Sequence, residues 1–209
     1  MRSDNAMLGT SGHERVENDF YPTPAECTHA LLRFLEAQGR GVLDKLVWEP
    51  AAGQGHISKV CRLYGAQVIE SDIAPQTKNA VVGDFTTAVI GVEEPIDYII
   101  TNPPYKRDVI DAFMAKCVTF AREYGVTCAM LMRNEVDSAI TRRKFFLDCA
   151  QYDTKLSLLW RPRWIADSTG SPRHNYAWFI WSPGAGNRAA EVHYALKPKL
   201  TIVTGDARA

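Results

Sequence analysis

Short apolar runs rich in β-branched and aromatic residues alternate along this chain with longer segments whose apolar residues recur every three or four positions. The short runs indicate buried strands, and the periodic segments indicate helices that each bury one face. Strands are expected at residues 46–48, 67–69, 98–101, 126–132, 155–160 and 175–181, with a short last strand at 192–196.

The first helix has a clear beginning in the sequence. Thr23 is a suitable N-cap, Pro24 fits the first helical position, and Glu26 would complete a capping box. The helix is expected to end before Gly39, because glycine favours the left-handed conformation that follows a helix. Further helices are expected at residues 56–64, 108–123 and 138–149.

The alternation of strands and helices predicts an α/β fold with a mostly parallel, doubly wound sheet and helices on both faces. The closing strands lie too close together in sequence for helical crossovers, so an antiparallel edge is expected. Residues 1–18 are predicted to form a flexible N-terminal segment and residues 19–183 one domain. Residues 184–209 are predicted to be a C-terminal tail with room for one short strand.

The composition narrows the class of protein. The 209 residues are 46% hydrophobic, which suffices for one core, and 24 basic residues balance 24 acidic ones. Any contact with a polyanion must therefore come from local clusters of charge. Five scattered cysteines argue against a disulfide framework and a structural zinc site, so reduced thiols, no metal and a cytoplasmic location are expected. No apolar run approaches the roughly 20 residues that span a bilayer, and no signal peptide is evident.

The motif Asn102-Pro103-Pro104-Tyr105 directly follows the apolar run 98–101. Its two prolines must end the strand, because proline has no backbone N–H to donate. A side-chain amide, a carbonyl and an aromatic ring are thereby expected at the carboxyl edge of the sheet. A planar amino group lying against Tyr105 can donate its two hydrogens to the Asn102 side-chain oxygen and the Pro103 carbonyl. Such a site favours methylation of an exocyclic amine.

The preceding strand ends predict a nucleoside site at the same edge. Gly53 and Gly55 allow close approach of the backbone to a ligand, and Glu49 and Asp72 place carboxylates beside them. The dinucleotide fingerprint Gly-x-Gly-x-x-Gly is absent, because Ser58 stands at its third glycine position, so the site suits a nucleoside without a pyrophosphate. Asp84 can accept from an adenine amino group, and the adjacent Phe85 can form an apolar wall.

Three segments resemble the S-adenosylmethionine-dependent amino-methyltransferases of DNA, in particular the N6-adenine type. These segments are Asn102-Pro103-Pro104-Tyr105, the loop Glu49-Pro50-Ala51-Ala52-Gly53-Gln54-Gly55, and Asp19-Phe20-Tyr21-Pro22-Thr23-Pro24. The resemblance covers residues 19–181 and implies the Rossmann-like methyltransferase fold. It also implies S-adenosylmethionine as the cofactor and duplex DNA with a flipped adenine as the substrate.

The resemblance also implies roles for individual residues. Tyr21 and Thr23 would meet the methionine end of the cofactor, with Ala51 in the cofactor loop. Asp72, or alternatively Glu70, would bind the ribose. The loop begins with Glu49 where the family more often has aspartate. Nothing resembles a target-recognition domain, so a separate specificity subunit is an expected partner.

Cations near the motif and late in the chain are the candidates for contact with nucleic acid. The segment 133–173 contains eight basic and five acidic residues. This excess of positive charge favours contact with nucleic acid, and an ordinary charged face exposed to solvent is the alternative explanation. Its loop combines an aromatic residue with cations, which suits base stacking and phosphate contact. The candidates are Lys106, Arg107, Arg161, Arg163, Trp164 and Arg173.

Three other functions remain open from the sequence. Enzymes that methylate adenine N6 in RNA or glutamine N5 in proteins carry the same turn, because each of their substrate amines is planar and conjugated. A non-catalytic homologue that binds cofactor or nucleic acid is the third. The intact motif and glycine loop argue against decay of the site.

Overall fold

The computed structural model describes residues 22–89, 95–164, 171–186 and 188–200. Its helices are α1 (Ala25–Ala37), α2 (His56–Leu63) and α3 (Arg107–Glu123). Its strands are β1 (Leu46–Glu49), β2 (Gln67–Asp72), β3 (Val81–Val82), β4 (Tyr98–Thr101), β5 (Thr127–Arg133), β6 (Tyr152–Leu158), β7 (Tyr176–Trp181) and β8 (Glu191–Ala195).

The strands form one sheet in the order β3-β2-β1-β4-β5-β7-β6-β8. Neighbouring strands from β3 to β5 are parallel, β7 is antiparallel to both β5 and β6, and β8 is parallel to β6. This arrangement confirms the predicted mostly parallel sheet with an antiparallel edge. The order reverses between β1 and β4, which is the topological switch point where ligands of such sheets bind.

Two apolar layers cover the sheet, as predicted for a doubly wound fold. On one face α1 and α2 contribute Leu31, Leu35 and Ile57 to a core that includes Trp178. On the other face α3 packs Phe113 and Phe120 into a second core. The indole of Trp178 donates to the backbone oxygen of Cys27 at 2.9 Å, which joins β7 to α1. All five cysteines are free, and four of them are buried.

Two local predictions were wrong. Helix α1 begins at Ala25 and has no side-chain cap, because the Thr23 hydroxyl accepts a hydrogen bond from a distant side chain instead. The segment predicted as a helix at 138–149 contains 3-10 helices at Val136–Ser138 and Ile140–Phe145. In that segment Ile140 and Leu147 are exposed while Phe145 and Phe146 are buried, so no apolar stripe supports an α-helix.

No helix in the described part of the chain has the length and hydrophobicity needed to cross a bilayer. The described residues also contain no grouping of three or more histidine, cysteine or acidic side chains that could hold a metal ion.

Candidate active site

The carboxyl ends of β1 and β4 lie side by side at the switch point. Their register pairs Val47 with Tyr98 and Trp48 with Ile99. Glu49 and Asn102 therefore follow on adjacent strands, and the Asn-Pro-Pro-Tyr turn lies next to the glycine-containing loop. The predicted methyl-acceptor and cofactor motifs are brought to one edge of the sheet.

The Asn102 side chain is held from both ends. Its Nδ2 donates to Oγ1 of Thr23 at 3.1 Å, and its Oδ1 accepts from the Tyr105 hydroxyl at 2.7 Å. Thr23 is buried, and Asn102 is half-buried. An amide oxygen has two lone pairs, so Oδ1 retains capacity for one more donor. The amide is therefore fixed in orientation and can still accept a hydrogen from a substrate.

Tyr105 is half-buried, and both its ring and its hydroxyl make contacts within the protein. Its ring packs edge-on against Trp164 and Tyr176 at centroid distances of 6.3 and 6.0 Å, and its hydroxyl also lies 3.3 Å from the Leu131 carbonyl. Burial raises the pKa of this phenol well above its usual value, so the hydroxyl remains a donor. These edge-on contacts hold the ring in place, and a role for Tyr105 in stacking against the target base stays a prediction.

The glycine loop is folded against the end of β2. Gly53 and Gly55 both have positive φ, at 49° and 69°, and the Gly53 N–H donates to Asp72 Oδ2 at 2.8 Å. A Cβ added at Gly55 would lie 3.2 Å from Glu70 Oε1. The loop therefore requires glycine for its backbone conformation and for its close approach to β2.

The two candidate ribose carboxylates differ in their burial and in the groups that donate to them. Glu70 is buried, with Oε1 paired to Arg62 at 2.6 Å and Oε2 accepting from the Thr77 hydroxyl at 2.9 Å. Asp72 is half-buried, and each of its oxygens accepts one backbone N–H. Each oxygen of both carboxylates thus already accepts one hydrogen bond, but the half-buried Asp72 is more accessible to a ligand than the buried Glu70.

Glu49 points into the protein. Only 2% of it is exposed, and its Oε2 accepts from both the backbone N–H and the hydroxyl of Ser58. Burial raises its pKa to about 8, although the hydrogen bonds from Ser58 partly oppose this shift. In this structure Glu49 therefore fastens β1 to the start of α2. Ser58, at the position of the missing third glycine, supplies both donors.

The adenine-side residues take different positions. Asp84 is exposed, and its Oδ1 accepts from the backbone N–H and the hydroxyl of Thr86 at 2.8 and 2.7 Å. Phe85 is 2% exposed and packs against Phe113 with ring centroids 4.7 Å apart. The Phe85 side chain therefore packs in the core and does not form the expected apolar wall of the adenine site. Ala51 is half-buried in the loop, and Tyr21 lies outside the described residues.

Five of the six predicted nucleic-acid residues are exposed, and at least three of these five make contacts within the protein. Lys106 pairs with Asp108 at 3.0 Å, and Arg107 lies 3.4 Å from the Thr141 hydroxyl, both beside the Asn-Pro-Pro-Tyr turn. Arg161 donates to Asn175 Oδ1 at 3.0 Å and so supports its own loop. Arg163 and Arg173 are exposed.

The expectation that Trp164 is an exposed aromatic was wrong. It is half-buried, and its ring lies 4.9 Å from that of Tyr176. The side chain that sequence reasoning did not connect with Asn102 is the Thr23 hydroxyl, which is 79 residues away in the chain. Local sequence carries no signal for such a pair.

No protein-family model and no curated protein sequence matches this chain, whereas solved structures share its fold. A provisionally assigned RNA methyltransferase from Pyrococcus horikoshii is 18% identical, with a TM-score of 0.62, and the match covers 82% of this chain and 90% of that one. A provisionally assigned class I S-adenosylmethionine-dependent methyltransferase from Listeria monocytogenes is 13% identical, with a TM-score of 0.61, and the match covers 88% and 68%.

A type I restriction-modification methyltransferase subunit from Streptococcus thermophilus is 14% identical, with a TM-score of 0.58. That match covers 84% of this chain and 47% of the subunit. At these identities the likeness establishes the fold. The chain has the Rossmann-like fold of these methyltransferases.

Proposed function

We propose that this protein is an S-adenosylmethionine-dependent methyltransferase that acts on the exocyclic N6 amine of adenine in DNA. One observation carries the proposal: the Asn102 amide is held at the switch point by Thr23 and Tyr105, with acceptor capacity left on its oxygen. The fold shared with methyltransferases supports this reading.

The loop and strand ends around the site suit S-adenosylmethionine. Asp72 would accept from the ribose hydroxyls, and the loop from Ala51 to Gly55 would lie against the nucleoside. A Cβ at Gly55 would crowd Glu70 Oε1 at 3.2 Å. Asp84 would accept from the adenine amine. Thr23 and Tyr21 would contact the methionine end. When bound, the cofactor supplies a methyl group on a positively charged sulfur.

The residues of the turn would prepare the substrate amine. Its lone pair is delocalised into the base, so it is a poor nucleophile. Acceptance of its two hydrogens by the Asn102 oxygen and the Pro103 carbonyl favours a pyramidal nitrogen. This acceptance strengthens as positive charge grows on nitrogen, so it stabilises the transition state more than the ground state. Pro104 would complete the turn that presents these two oxygens to the substrate.

The buried thiols support a route without a covalent enzyme intermediate. Cys61 is buried, and desolvation raises its pKa to about 12. A thiol with this pKa is protonated at neutral pH, and only the thiolate is a strong nucleophile. Cys27, Cys117 and Cys128 are likewise buried in the cores.

DNA is the first choice of polymer because a restriction-modification methyltransferase subunit shares the fold. An adenine in a duplex would have to be flipped out, at a cost of a few kcal/mol. Sequence specificity would come from a separate subunit. RNA is the second candidate, favoured by the match to the Pyrococcus protein.

The test offers labelled S-adenosylmethionine with DNA, RNA or cell protein, followed by digestion and identification of the methylated unit. We expect N6-methyladenine from DNA. Label in protein alone would overturn the proposal, and label in RNA alone would replace the substrate.

A matched pair of variants tests the role of the amide. Asn102→Leu keeps the approximate size and removes the acceptor, so it should abolish transfer while cofactor binding, measured by calorimetry, survives. Asn102→Asp retains acceptor oxygens and should keep part of the activity. Full turnover by the leucine variant would remove Asn102 from the mechanism.

A further inference from the structure

A groove of about 510 Å³ lies between α1 and the segment that includes and follows the end of β8. We propose that this groove, here called the β8 groove, binds the sugar-phosphate backbone of the nucleic-acid substrate. This inference rests on the proposed function, in which the substrate is a polynucleotide. The residues that line it and carry the argument are Arg33, Phe34, Tyr194, Lys197 and Lys199.

The topology places the end of β8 at the edge of the sheet that carries the active site. β7 is antiparallel to both β5 and β6, so β6 runs in the same direction as β4 and β5. β8 is parallel to β6 and therefore shares that direction. The chain after β8 then meets the first turn of α1, where Lys197 pairs with Glu26 at 3.1 Å. Thr23, which contacts Asn102, lies two residues before the start of that helix. A polymer in the β8 groove can therefore continue toward the catalytic turn.

The charge of the β8 groove favours phosphate. Three of its lining residues are cations and none is acidic, whereas the whole chain has 24 residues of each sign. Lys197 is paired with Glu26, but Arg33 and Lys199 make no ion pair with another described residue. Tyr194 is 66% exposed, which leaves a ring surface for contact with sugar or base.

Three cations of the late basic segment, all outside the set predicted to bind nucleic acid, are less suitable for binding phosphate. Arg142 pairs with Asp111 at 2.7 Å, and Lys155 pairs with Asp137 at 2.8 Å. Arg143 makes two contacts with Asp148, at 2.5 and 2.9 Å. A phosphate would have to compete with these carboxylates, whereas it would meet Arg33 and Lys199 without that competition.

The test measures binding of a fluorescein-labelled 20-base-pair duplex by anisotropy, using the full chain, from about 50 to 200 mM KCl. Each phosphate contact contributes about 0.9 to the slope of log affinity against log salt. We expect the double variant Arg33→Glu/Lys199→Glu to bind roughly tenfold more weakly at the low-salt end and to flatten the slope by about 2.

The control is Lys59→Glu/Lys116→Glu, which makes the same change in net charge on α2 and α3. It should leave the slope unchanged. If the first pair fails to fold by circular dichroism, the milder Arg33→Gln/Lys199→Gln is measured instead, with the same flattening expected.

The outcomes separate the β8 groove from the proposed function. Suppose that the wild-type protein methylates a polynucleotide and the Arg33/Lys199 variants show an unchanged slope of log affinity against log salt. This result would overturn the assignment of the β8 groove and leave the proposed function standing. A wild-type protein that binds no polynucleotide and labels protein would overturn the function. Equal loss of poly-glutamate and duplex binding would make the groove a site for acidic peptides and overturn the assignment to nucleic acid.

Discussion

Removal of the Tyr105 hydroxyl distinguishes a ring that stacks on the target base from a hydroxyl that positions Asn102. In Tyr105→Phe the ring can keep its contacts with Trp164 and Tyr176, but the 2.7 Å hydrogen bond to Asn102 Oδ1 is lost. A stacking ring would tolerate this change, since phenylalanine presents the same face. A positioning hydroxyl would not.

The magnitude follows from the burial of the bond. Loss of a hydrogen bond of this kind costs about 1–2 kcal/mol, because the Asn102 oxygen loses its donor in a partly desolvated site. For a chain of 209 residues this corresponds to a fall in Tm of roughly 2–8 °C. The freed amide spends less time oriented toward the substrate, so kcat should fall about fivefold, equivalent to about 1 kcal/mol.

Calorimetric melting and steady-state methylation of duplex DNA measure the two effects. The KM for DNA should be nearly unchanged in Tyr105→Phe, while Tyr105→Ala should also destabilise the aromatic cluster. A phenylalanine variant with wild-type Tm and wild-type kcat would refute the positioning role and return Tyr105 to the role of a stacking platform.

Three further predictions concern the residues around the turn and the glycine loop. Because Glu49 has a raised folded pKa of about 8 against a usual value of 4.5, stability should fall as pH rises between those values, by up to about 1.4 kcal/mol per pH unit. Glu49→Gln should flatten the dependence of stability on pH, measured by urea titrations at several pH values. An unchanged dependence in this variant would contradict the assignment to Glu49. Gly55→Ala should lower the free energy of unfolding more than Gly125→Ala does, because both glycines have positive φ but only Gly55 approaches Glu70. Equal losses in urea unfolding would show that the approach of Gly55 to Glu70 is unimportant. Thr23→Val should lower kcat without unfolding the protein, and wild-type turnover would exclude the hydroxyl as a positioning group.

Local sequence determined the order of the elements and the ends of most strands. Apolar runs identify β1, β2 and β4, and parallel topology then brings their carboxyl ends to one edge. The prolines after β4 fix where it ends, whereas β2 continues beyond its apolar run to Asp72. For this reason the Asn-Pro-Pro-Tyr turn and the glycine loop could be expected near each other before any coordinates were known. The fold of methyltransferases was likewise predictable from the order of these motifs.

Tertiary structure alone decided where the side chains at that edge point. The Asn102 amide is oriented by Thr23, 79 residues away, and by a tyrosine whose ring is packed by side chains from a loop and strand much later in the chain. Two cations of the late basic segment, Arg142 and Lys155, are likewise paired with carboxylates on other elements. Backbone pattern depends on neighbours in sequence, whereas side-chain direction and charge pairing depend on neighbours in space, so only the folded chain determines them.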